Sequence, residues 1–202
     1  MKKIKVGIAG LGRLGKVHAQ NIAYKIPNAE LTAACSIVPA ELEYAKQNLG
    51  VTDVYTDFRE MLAKADIDAV AIVTTSSEHC WQIEAALDAG KHVFTDKPLG
   101  VDVEQCKQAE RAVERHPELT FMLGFMRRYD KSYAYAKQKI EEGAIGTPYM
   151  VKATGIDPEA FVDGAIKFAA TSGGIFLDMA IHDIDLMRWF LGCEATEVYA
   201  QG

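Results

Sequence analysis

Three residues that can take part in proton transfer recur at helical spacing near the carboxyl end of the sequence. Asp178, His182 and Asp185 stand at i, i+4 and i+7 of a predicted helix over residues 174–191, whose other residues are largely apolar. An Asp–His pair suits general acid–base catalysis, and the glycine pair at 173–174 would let a ligand or backbone approach closely. The same polar stripe could instead face solvent, and spacing alone leaves both interpretations open.

A lysine lies in a second candidate centre, the segment Asp96-Lys97-Pro98, which follows a predicted strand. Ligands of open α/β sheets bind at the carboxyl ends of the strands, where a lysine can stabilise a developing negative charge. Proline at this position is compatible with a cis peptide bond. Taken alone, the segment is better explained as a surface lysine before a turn proline.

A glycine-rich turn lies near the start of the sequence. Gly10, Gly12 and Gly15 fit the pattern G-x-G-x-x-G between a predicted strand over residues 4–9 and a helix that runs to about Tyr24. The first glycine permits a tight turn, the second lets backbone approach a pyrophosphate, and the third lets helix and strand pack closely. Because the start of the helix offers unpaired N–H groups, the turn predicts dinucleotide binding.

The position that selects the cofactor's ribose is less regular. An acidic residue at the end of the second strand, about 20 residues beyond the glycines, would bind the 2′-hydroxyl and repel a 2′-phosphate. Here the strand ends in Cys35-Ser36-Ile37, and no cation that could neutralise a phosphate follows until Lys46. Ser36 can bond either group, so the sequence favours NAD and leaves NADP possible.

Strands and helices are predicted to alternate up to about residue 124. Short apolar runs bounded by turn residues indicate the strands, and amphipathic runs indicate the helices. This alternation predicts a doubly wound parallel sheet. The predicted strands cover residues 4–9, 30–37, 69–74, 92–95 and 120–124, and the helices after the first cover residues 39–48, 57–64, 79–89 and 103–115.

The pattern changes after residue 124. Helices are predicted over residues 130–142 and 174–191, and strands over residues 148–156 and 196–201. These elements suggest the beginning of an α+β domain, which buries too little apolar surface to stand alone. We therefore expect a dinucleotide-binding domain over residues 1–124 and an incomplete substrate-binding and oligomerisation domain over residues 125–202, completed by further chain or by partner chains.

Composition and charge exclude several classes of protein. The 202 residues are 49% hydrophobic and 25% charged, as is typical of globular proteins. A formal net charge of −6 without a long Lys/Arg run argues against nucleic acid as a partner. The sequence lacks the roughly 20 consecutive apolar residues of a membrane span, and we expect a cytoplasmic protein. The 4 cysteines are scattered, so neither disulfides nor a metal site is predicted.

Together and in this order, the motifs resemble the Gfo/Idh/MocA oxidoreductases along the whole chain. They are the glycine turn with His18 after it, Thr74-Thr75-Ser76 with His79, Asp96-Lys97-Pro98, the segment 124–130 and the segment 172–185. The resemblance implies a Rossmann domain followed by an α+β domain, and a homo-oligomer. It also implies hydride transfer between NAD, or NADP, and a ring hydroxyl of a cyclitol or sugar, with inositol favoured as the substrate.

The resemblance further implies roles for individual residues. Lys97 would bridge the substrate hydroxyl and the cofactor, His182 would act as general base, and Asp178 would orient it. The positions implied for substrate are Met126, Arg127 and Asp157, and those implied for cofactor are Gly10, Gly12, Arg13, Leu14, Gly15, Ser36, Thr74, Ser76, His79, Asp96 and Lys97.

Three positions depart from the family pattern. Asp96 stands where a glutamate usually precedes the lysine, Ser36 replaces the usual acidic residue, and Gly155-Ile156 stands where many members carry Ser-Arg. The shorter Asp96 side chain is expected to alter a ribose or nicotinamide contact. The change at 155–156 is expected to alter the substrate pocket.

Two other functions stay open on the sequence. One is a truncated or catalytically impaired relative that binds the cofactor as a sensor. The other is a metal-dependent hydrolase or lyase that uses Asp178, His182 and Asp185, although no further ligands stand at metal-binding spacing. The intact set of Lys97, Asp178 and His182 favours the oxidoreductase over the impaired relative, and activity that is insensitive to chelators would distinguish it from the metal-dependent enzyme.

Overall fold

The computed structural model of the chain describes residues 2–201, except for the side chains of residues 168 and 170. Backbone contacts divide the chain after Gly124 into two units. All strands of the described residues lie in the first unit. Within residues 2–201, no helix has the length and apolar character needed to cross a membrane.

The first unit is a parallel sheet with helices on both faces. Its strands are β1 (Ile4–Ala9), β2 (Ala29–Cys35), β3 (Asp53–Tyr55), β4 (Ala69–Ile72), β5 (His92–Asp96) and β6 (Phe121–Gly124). Its helices are α1 (Arg13–Tyr24), α2 (Pro39–Leu49), α3 (Phe58–Lys64), α4 (His79–Asp88) and α5 (Val103–Arg115), with a 3₁₀ turn at Ser76–Glu78. The 6-stranded order β3-β2-β1-β4-β5-β6, with every pair parallel, confirms the predicted doubly wound sheet.

Different helices cover the two faces of the sheet. Consecutive residues of a strand point to opposite faces, so Ile8 and Ala9 of β1 belong to two separate apolar clusters. The cluster around Ile8 includes Ala19 of α1 and Ala45 of α2. The cluster around Ala9 draws on α3, α4 and α5. Both faces of β1 are therefore buried toward its carboxyl end, which explains why residues 6–9 are a continuous apolar run rather than an alternating one.

The strand order reverses between β1 and β4. From β1 the chain proceeds outward to β2 and β3, whereas from β4 it proceeds in the other direction to β5 and β6. The loops that leave β1 and β4 therefore diverge at their carboxyl ends and open a crevice there. In doubly wound sheets this switch point is the place where ligands bind.

The second unit contains only helical elements among its described residues. These are α6 (Lys131–Glu141), α7 (Val162–Ser172) and α8 (Ile181–Leu191), with 3₁₀ turns at Met126–Tyr129 and Glu159–Phe161 and a π-helical turn at Phe176–Ala180. The strands predicted over residues 148–156 and 196–201 are wrong for this structure. A strand requires a hydrogen-bonded partner, and in the part of the chain that the structure describes neither segment joins a sheet.

The helix predicted over residues 174–191 is confirmed, and its first part contains the π-helical turn, which continues directly into α8. Gly173 and Gly174 have φ values of +82° and +79°, and a Cβ on Gly173 would lie 2.5 Å from Leu177 Cδ1. These glycines therefore end α7 and allow the reversal before the π-helical turn.

An ion pair with a buried carboxylate connects the 3₁₀ turn at Met126–Tyr129 to α8. Arg128 donates from Nε and Nη2 to the two oxygens of Asp185, at 2.8 and 2.6 Å, and Asp185 is only 3% exposed. The Arg128 guanidinium also lies 5.8 Å from the centroid of the Trp189 ring. Lys137 of α6 donates to the Trp189 carbonyl at 2.8 Å. These contacts hold the amino-terminal part of the unit against α8.

Replacing Arg128 by Met should lower the free energy of unfolding of the second unit by about 3–5 kcal/mol, because Asp185 is left charged and buried. Arg188→Met is the matched control. Arg188 makes the same two-bond contact with Glu194, at 2.7 and 2.6 Å, but the Glu194 side chain is 73% exposed. Loss of that surface pair should cost at most about 1 kcal/mol. Urea unfolding of the two variants provides the comparison, and equal losses would contradict the assignment.

Candidate active site

The strands of the first unit end level with one another at the switch point. Ala9 of β1 is paired with Cys35 of β2 and with Ile72 of β4, and Ile72 is paired with Thr95 of β5. The strand ends, the loops that follow them and the first turns of the next helices hold every position of the first unit that the sequence assigns to cofactor or catalysis, namely residues 10–15, 36, 74–79 and 96–97.

The glycine turn is filled where it packs and open where a ligand would approach. Gly10 has φ +86°, and a Cβ there would collide with the carbonyl oxygen of Val73 after β4. A Cβ on Gly15 would collide with the Gly10 carbonyl oxygen, so α1 packs directly on the turn. At Gly12, by contrast, the nearest heavy atom to such a Cβ is Glu41 Oε1 at 4.0 Å. The turn is a cradle of the shape that a pyrophosphate needs.

The amino terminus of α1 faces the same cradle. Gly12 is the N-cap residue, and within the described residues no side chain caps this helix. Arg13 and Leu14, which form the first turn, are exposed. The first N–H groups and the partial positive charge of the helix terminus are thus available to phosphate oxygens. The backbone would supply most of these contacts.

Ser36, the candidate ribose position after β2, is bonded to an acidic residue that the sequence analysis missed. Its Oγ donates to Glu41 Oε2 at 2.6 Å and accepts from the Val38 N–H at 3.0 Å. The same Oε2 atom accepts from the Leu11 N–H of the glycine turn at 3.3 Å. Glu41 follows Pro39, the first residue of α2, by two positions, and this part of a helix is where a Glu side chain commonly reaches back. The position of Glu41 in the first turn of the predicted helix could therefore have identified it from the sequence.

The loop after β4 carries three candidate cofactor residues in different settings. Thr74 Oγ1 donates to Gln82 Oε1 at 2.6 Å, and Ser76 is buried at the start of a 3₁₀ turn. His79 is 2% exposed, and its ring nitrogens face the carbonyl oxygens of Pro98 at 2.7 Å and Thr74 at 3.2 Å. An imidazole that contacts backbone carbonyl groups on both sides holds two loops in place. We assign His79 this role rather than a direct cofactor contact.

The loop that carries Lys97 is fixed from below by α4. The Lys97–Pro98 peptide bond is cis, as the sequence suggested. His79 bonds the Pro98 carbonyl, and Cys80 Sγ donates to the Leu99 carbonyl at 3.2 Å. Burial raises the pKa of Cys80 to about 12, so the thiol keeps the proton that it donates. Lys97 itself is half-buried, and its N–H donates to Asp96 Oδ1 at 2.9 Å.

His18 of α1 lies against β5. Its ring centroid is 5.2 Å from that of Phe94. Burial lowers the pKa of His18, and the nearby charge of Asp96 partly opposes that shift. The neutral imidazole is therefore favoured near pH 7, close to the end of β5 where Asp96 stands.

The predicted proton-transfer residues of the second unit do not form one uniform stripe. Asp178 lies in the middle of the π-helical turn and His182 near the start of α8, and both are half-buried. Such turns are rare and occur often at functional sites. Asp185 is instead committed to Arg128. The structure therefore leaves Asp178 and His182 as candidates for proton transfer and assigns Asp185 a structural role.

Asp183 organises the candidate substrate residues and was missed from the sequence. It forms an ion pair with Arg127, and a Cβ on Gly155 would lie 2.9 Å from its Oδ2 atom. The 3₁₀ turn with Met126 and Arg127 therefore meets the segment that leads to Asp157 on one side of α8. Met126 and Asp157 are exposed there.

The metal-dependent alternative loses one of its three ligands. Asp185 is held by Arg128 on both carboxylate oxygens. Over residues 2–201, the structure contains no group of three or more His, Cys, Asp or Glu side chains placed to hold a metal ion. The four cysteines are free, with Cys35 and Cys80 buried, Cys106 half-buried and Cys193 exposed.

Comparison with known families gives matches over both units. Residues 4–125 match the Gfo/Idh/MocA oxidoreductase family, described as an NAD-binding Rossmann fold. Residues 133–202 match the Gfo/Idh/MocA C-terminal domain.

Individual relatives are similar over nearly the whole chain. It is 38% identical over 200 residues to scyllo-inositol 2-dehydrogenase (NAD(+)) of Bacillus subtilis and 34% identical over 201 residues to myo-inositol 2-dehydrogenase of Thermotoga maritima. These alignments cover 99% and 98% of this chain but 57% and 58% of the relatives. The crystal structure of scyllo-inositol dehydrogenase from Lactobacillus casei with bound NAD(H) and scyllo-inositol matches with a TM-score of 0.91 and 55% identity, over 95% of this chain and 57% of that chain. The chain thus spans little more than half the length of these proteins.

The packing below Lys97 can be tested at Gly100. A Cβ there would lie 2.5 Å from Cys80 Sγ and 3.2 Å from Cys106 Sγ. Gly100→Ala should therefore lower the free energy of unfolding by roughly 1–3 kcal/mol through overpacking.

The double variant Cys80→Ala, Gly100→Ala separates this clash from a backbone effect. Removing the Cys80 sulfur relieves the shorter contact, so Gly100→Ala should cost clearly less in the Cys80→Ala background than in the native one. Thermal and urea unfolding of the four proteins in this double-mutant cycle measure the difference. An equal cost in both backgrounds would show that the sulfur does not limit the space at residue 100.

Proposed function

The chain belongs to the Gfo/Idh/MocA oxidoreductase family, and we propose that it transfers a hydride between a nicotinamide cofactor and a ring carbon bearing a hydroxyl group. The proposed substrates are cyclitols or sugars, with an inositol as the first choice. The observation that carries this proposal is the 55% identity, over 95% of the chain, to a scyllo-inositol dehydrogenase whose structure holds NAD(H) and scyllo-inositol.

The cradle of the first unit fits the proposed cofactor. Its open side at Gly12 and the amino terminus of α1 would receive the pyrophosphate, and the residues after β4 would line the crevice. When bound, the nicotinamide accepts or gives the hydride. The first unit matches an NAD-binding Rossmann fold, and NAD is accordingly the cofactor.

Oxidation of an alcohol requires that the hydroxyl proton leave as the hydride leaves the ring carbon. We assign the proton to His182, with Asp178 orienting the imidazole, and we assign Lys97 to stabilising the alkoxide that develops on the oxygen. The product is a ketone. The anchoring of the Lys97 loop by His79 and Cys80 supports this role, because a positioned charge acts on a transition state without reorganising first.

We further propose that Met126, Arg127 and Asp157 contact the polyol. Arg127 pairs with Asp183, and a guanidinium that carries five N–H donors keeps others for hydroxyl groups. Asp183 would then fix the orientation of Arg127. A cytoplasmic location and assembly into a homo-oligomer stay predictions of the sequence and its resemblance.

A substrate screen tests the reaction. Inositols and aldoses are offered with NAD and then with NADP, and formation of the reduced nicotinamide is followed by its absorbance. We expect the highest rate with an inositol and NAD. Absence of turnover with every inositol and aldose, with either cofactor, would contradict the proposal.

His182→Ala should lower kcat by ~10²-fold or more while the Kd for NADH stays nearly unchanged, because a general base acts on the substrate proton and not on cofactor binding. The matched control is His116→Ala, whose imidazole bonds Asp88 at 3.0 Å on the surface of the first unit. That control should retain native turnover. Weaker NADH binding in His182→Ala, with kcat unchanged at saturating cofactor, would reverse the assignment.

Lys97→Met should also lower kcat by ~10²-fold or more, because it keeps much of the stem but removes the charge that stabilises the alkoxide. Lys107→Met controls for the loss of a positive charge, since Lys107 pairs with Glu104 on the exposed side of α5. Steady-state kinetics with the best polyol distinguish the two variants. Near-native activity of Lys97→Met would show that Lys97 takes no part in the reaction.

A further inference from the structure

Glu41 is a carboxylate in the cofactor crevice that neither the glycine pattern nor the family resemblance assigns. Its Oε2 atom accepts from the Ser36 hydroxyl at 2.6 Å and from the Leu11 N–H at 3.3 Å. Its Oε1 atom lies on the side of Gly12, 4.0 Å from where a Cβ would stand. The carboxylate therefore bridges the end of β2 and the open side of the glycine turn.

We propose that Glu41 is the residue that selects NAD over NADP, by accepting a hydrogen bond from the 2′-hydroxyl of the adenosine ribose and repelling a 2′-phosphate. This inference rests on the proposed function, because it presupposes that a nicotinamide dinucleotide occupies the crevice. It places the acidic group on the first turn of α2 instead of at the end of β2, where Ser36 stands.

The hydrogen bonds of Ser36 explain why that residue cannot select the cofactor itself. Its only hydroxyl proton is directed at Glu41, and its oxygen accepts from the Val38 N–H at 3.0 Å. Ser36 is also only 7% exposed. Ser36 is therefore a positioning residue, which holds the Glu41 side chain toward the turn.

The hydrogen bonds that Glu41 forms leave one of its carboxylate oxygens available to accept a hydrogen bond from the ribose. A carboxylate can accept about four hydrogen bonds, and both bonds formed within the described residues end on Oε2. Oε1, the atom nearer Gly12, keeps its acceptor capacity on the side from which the dinucleotide enters. A hydroxyl can donate to this atom, whereas a phosphate has only acceptors and negative charge to offer.

The size of the discrimination follows from charge. A carboxylate facing a doubly charged 2′-phosphate at a few ångströms should disfavour the phosphorylated cofactor by roughly 10- to 100-fold at moderate salt. Because the Glu41 side chain is only partly buried, added salt should weaken this repulsion. A purely structural carboxylate would produce neither the discrimination nor its salt dependence.

The test compares Glu41→Gln with Glu43→Gln in the whole 202-residue chain. Glutamine removes the charge but keeps the shape and the hydrogen-bonding oxygen. Glu43 lies on the same helix and bonds Gln47 at 2.6 Å, so its replacement removes an equal charge outside the crevice. The Kd values of NADH and NADPH are measured by the fluorescence of the reduced nicotinamide at low and high salt, without any polyol.

We expect native protein and Glu43→Gln to prefer NADH, with a preference that falls as salt is added. In Glu41→Gln the preference should shrink by tenfold or more and lose its salt dependence, chiefly through tighter NADPH binding. Ser36→Ala should shrink it less, because the carboxylate is then present but less well oriented. Circular dichroism spectra establish that the variants are folded, and Ser36→Ala stands in if Glu41→Gln does not fold.

Two results would overturn the inference. One is an unchanged NADH/NADPH ratio in Glu41→Gln, and the other is an equal change in Glu41→Gln and Glu43→Gln. Both leave the proposed function intact, because the cofactors still bind. Failure of native protein to bind either dinucleotide would instead refute the proposed function and this inference together.

Discussion

The close approach of backbone to backbone at the glycine turn is the constraint on which the first unit depends. Gly10 lies so near the Val73 carbonyl, and Gly15 so near the Gly10 carbonyl, that a Cβ on either would overlap an atom that cannot move aside. This packing brings β1, α1 and the loop after β4 together at the switch point of the sheet. The shape of the cradle for a pyrophosphate is thus set by this close packing of backbone on backbone and does not depend on any side chain.

The loops around the cradle are held by side chains that have no part in the proposed chemistry. His79 and Cys80, adjacent residues at the start of α4, bond the carbonyls of Pro98 and Leu99, and so fix the segment that carries Lys97. Ser36 holds the Glu41 side chain in place in the same way. In each case a buried polar group is satisfied by the backbone or side chain that it positions, which is why these polar residues can be buried at all.

The sequence predicted the features that repeat and missed those that depend on partners. The glycine turn, the alternation of strands and helices and the strand ends that carry Lys97 follow from local patterns, and the structure confirms the sheet. The strand β3 was not predicted because three residues are too few to show an alternating pattern. The strands predicted over residues 148–156 and 196–201 were wrong because a strand forms only against a hydrogen-bonded neighbour. The pairing of Asp185 with Arg128 could not be read from helical spacing, since it is set by a contact between distant parts of the chain. The role of Glu41, by contrast, could have been inferred from its position in the first turn of α2.

The π-helical turn at Phe176–Ala180 makes this point of the helix tolerant of a change in length. Its i→i+5 bonding takes up one residue more than the i→i+4 bonding of an α-helix. Loss of one residue within the turn would therefore let it relax to α-helix while the segments on either side keep nearly their present register. Loss of a residue between His182 and Asp185 has no such compensation and would rotate Asp185 by about 100° away from Arg128. Homologous sequences are thus expected to differ by one residue at this turn more readily than within α8.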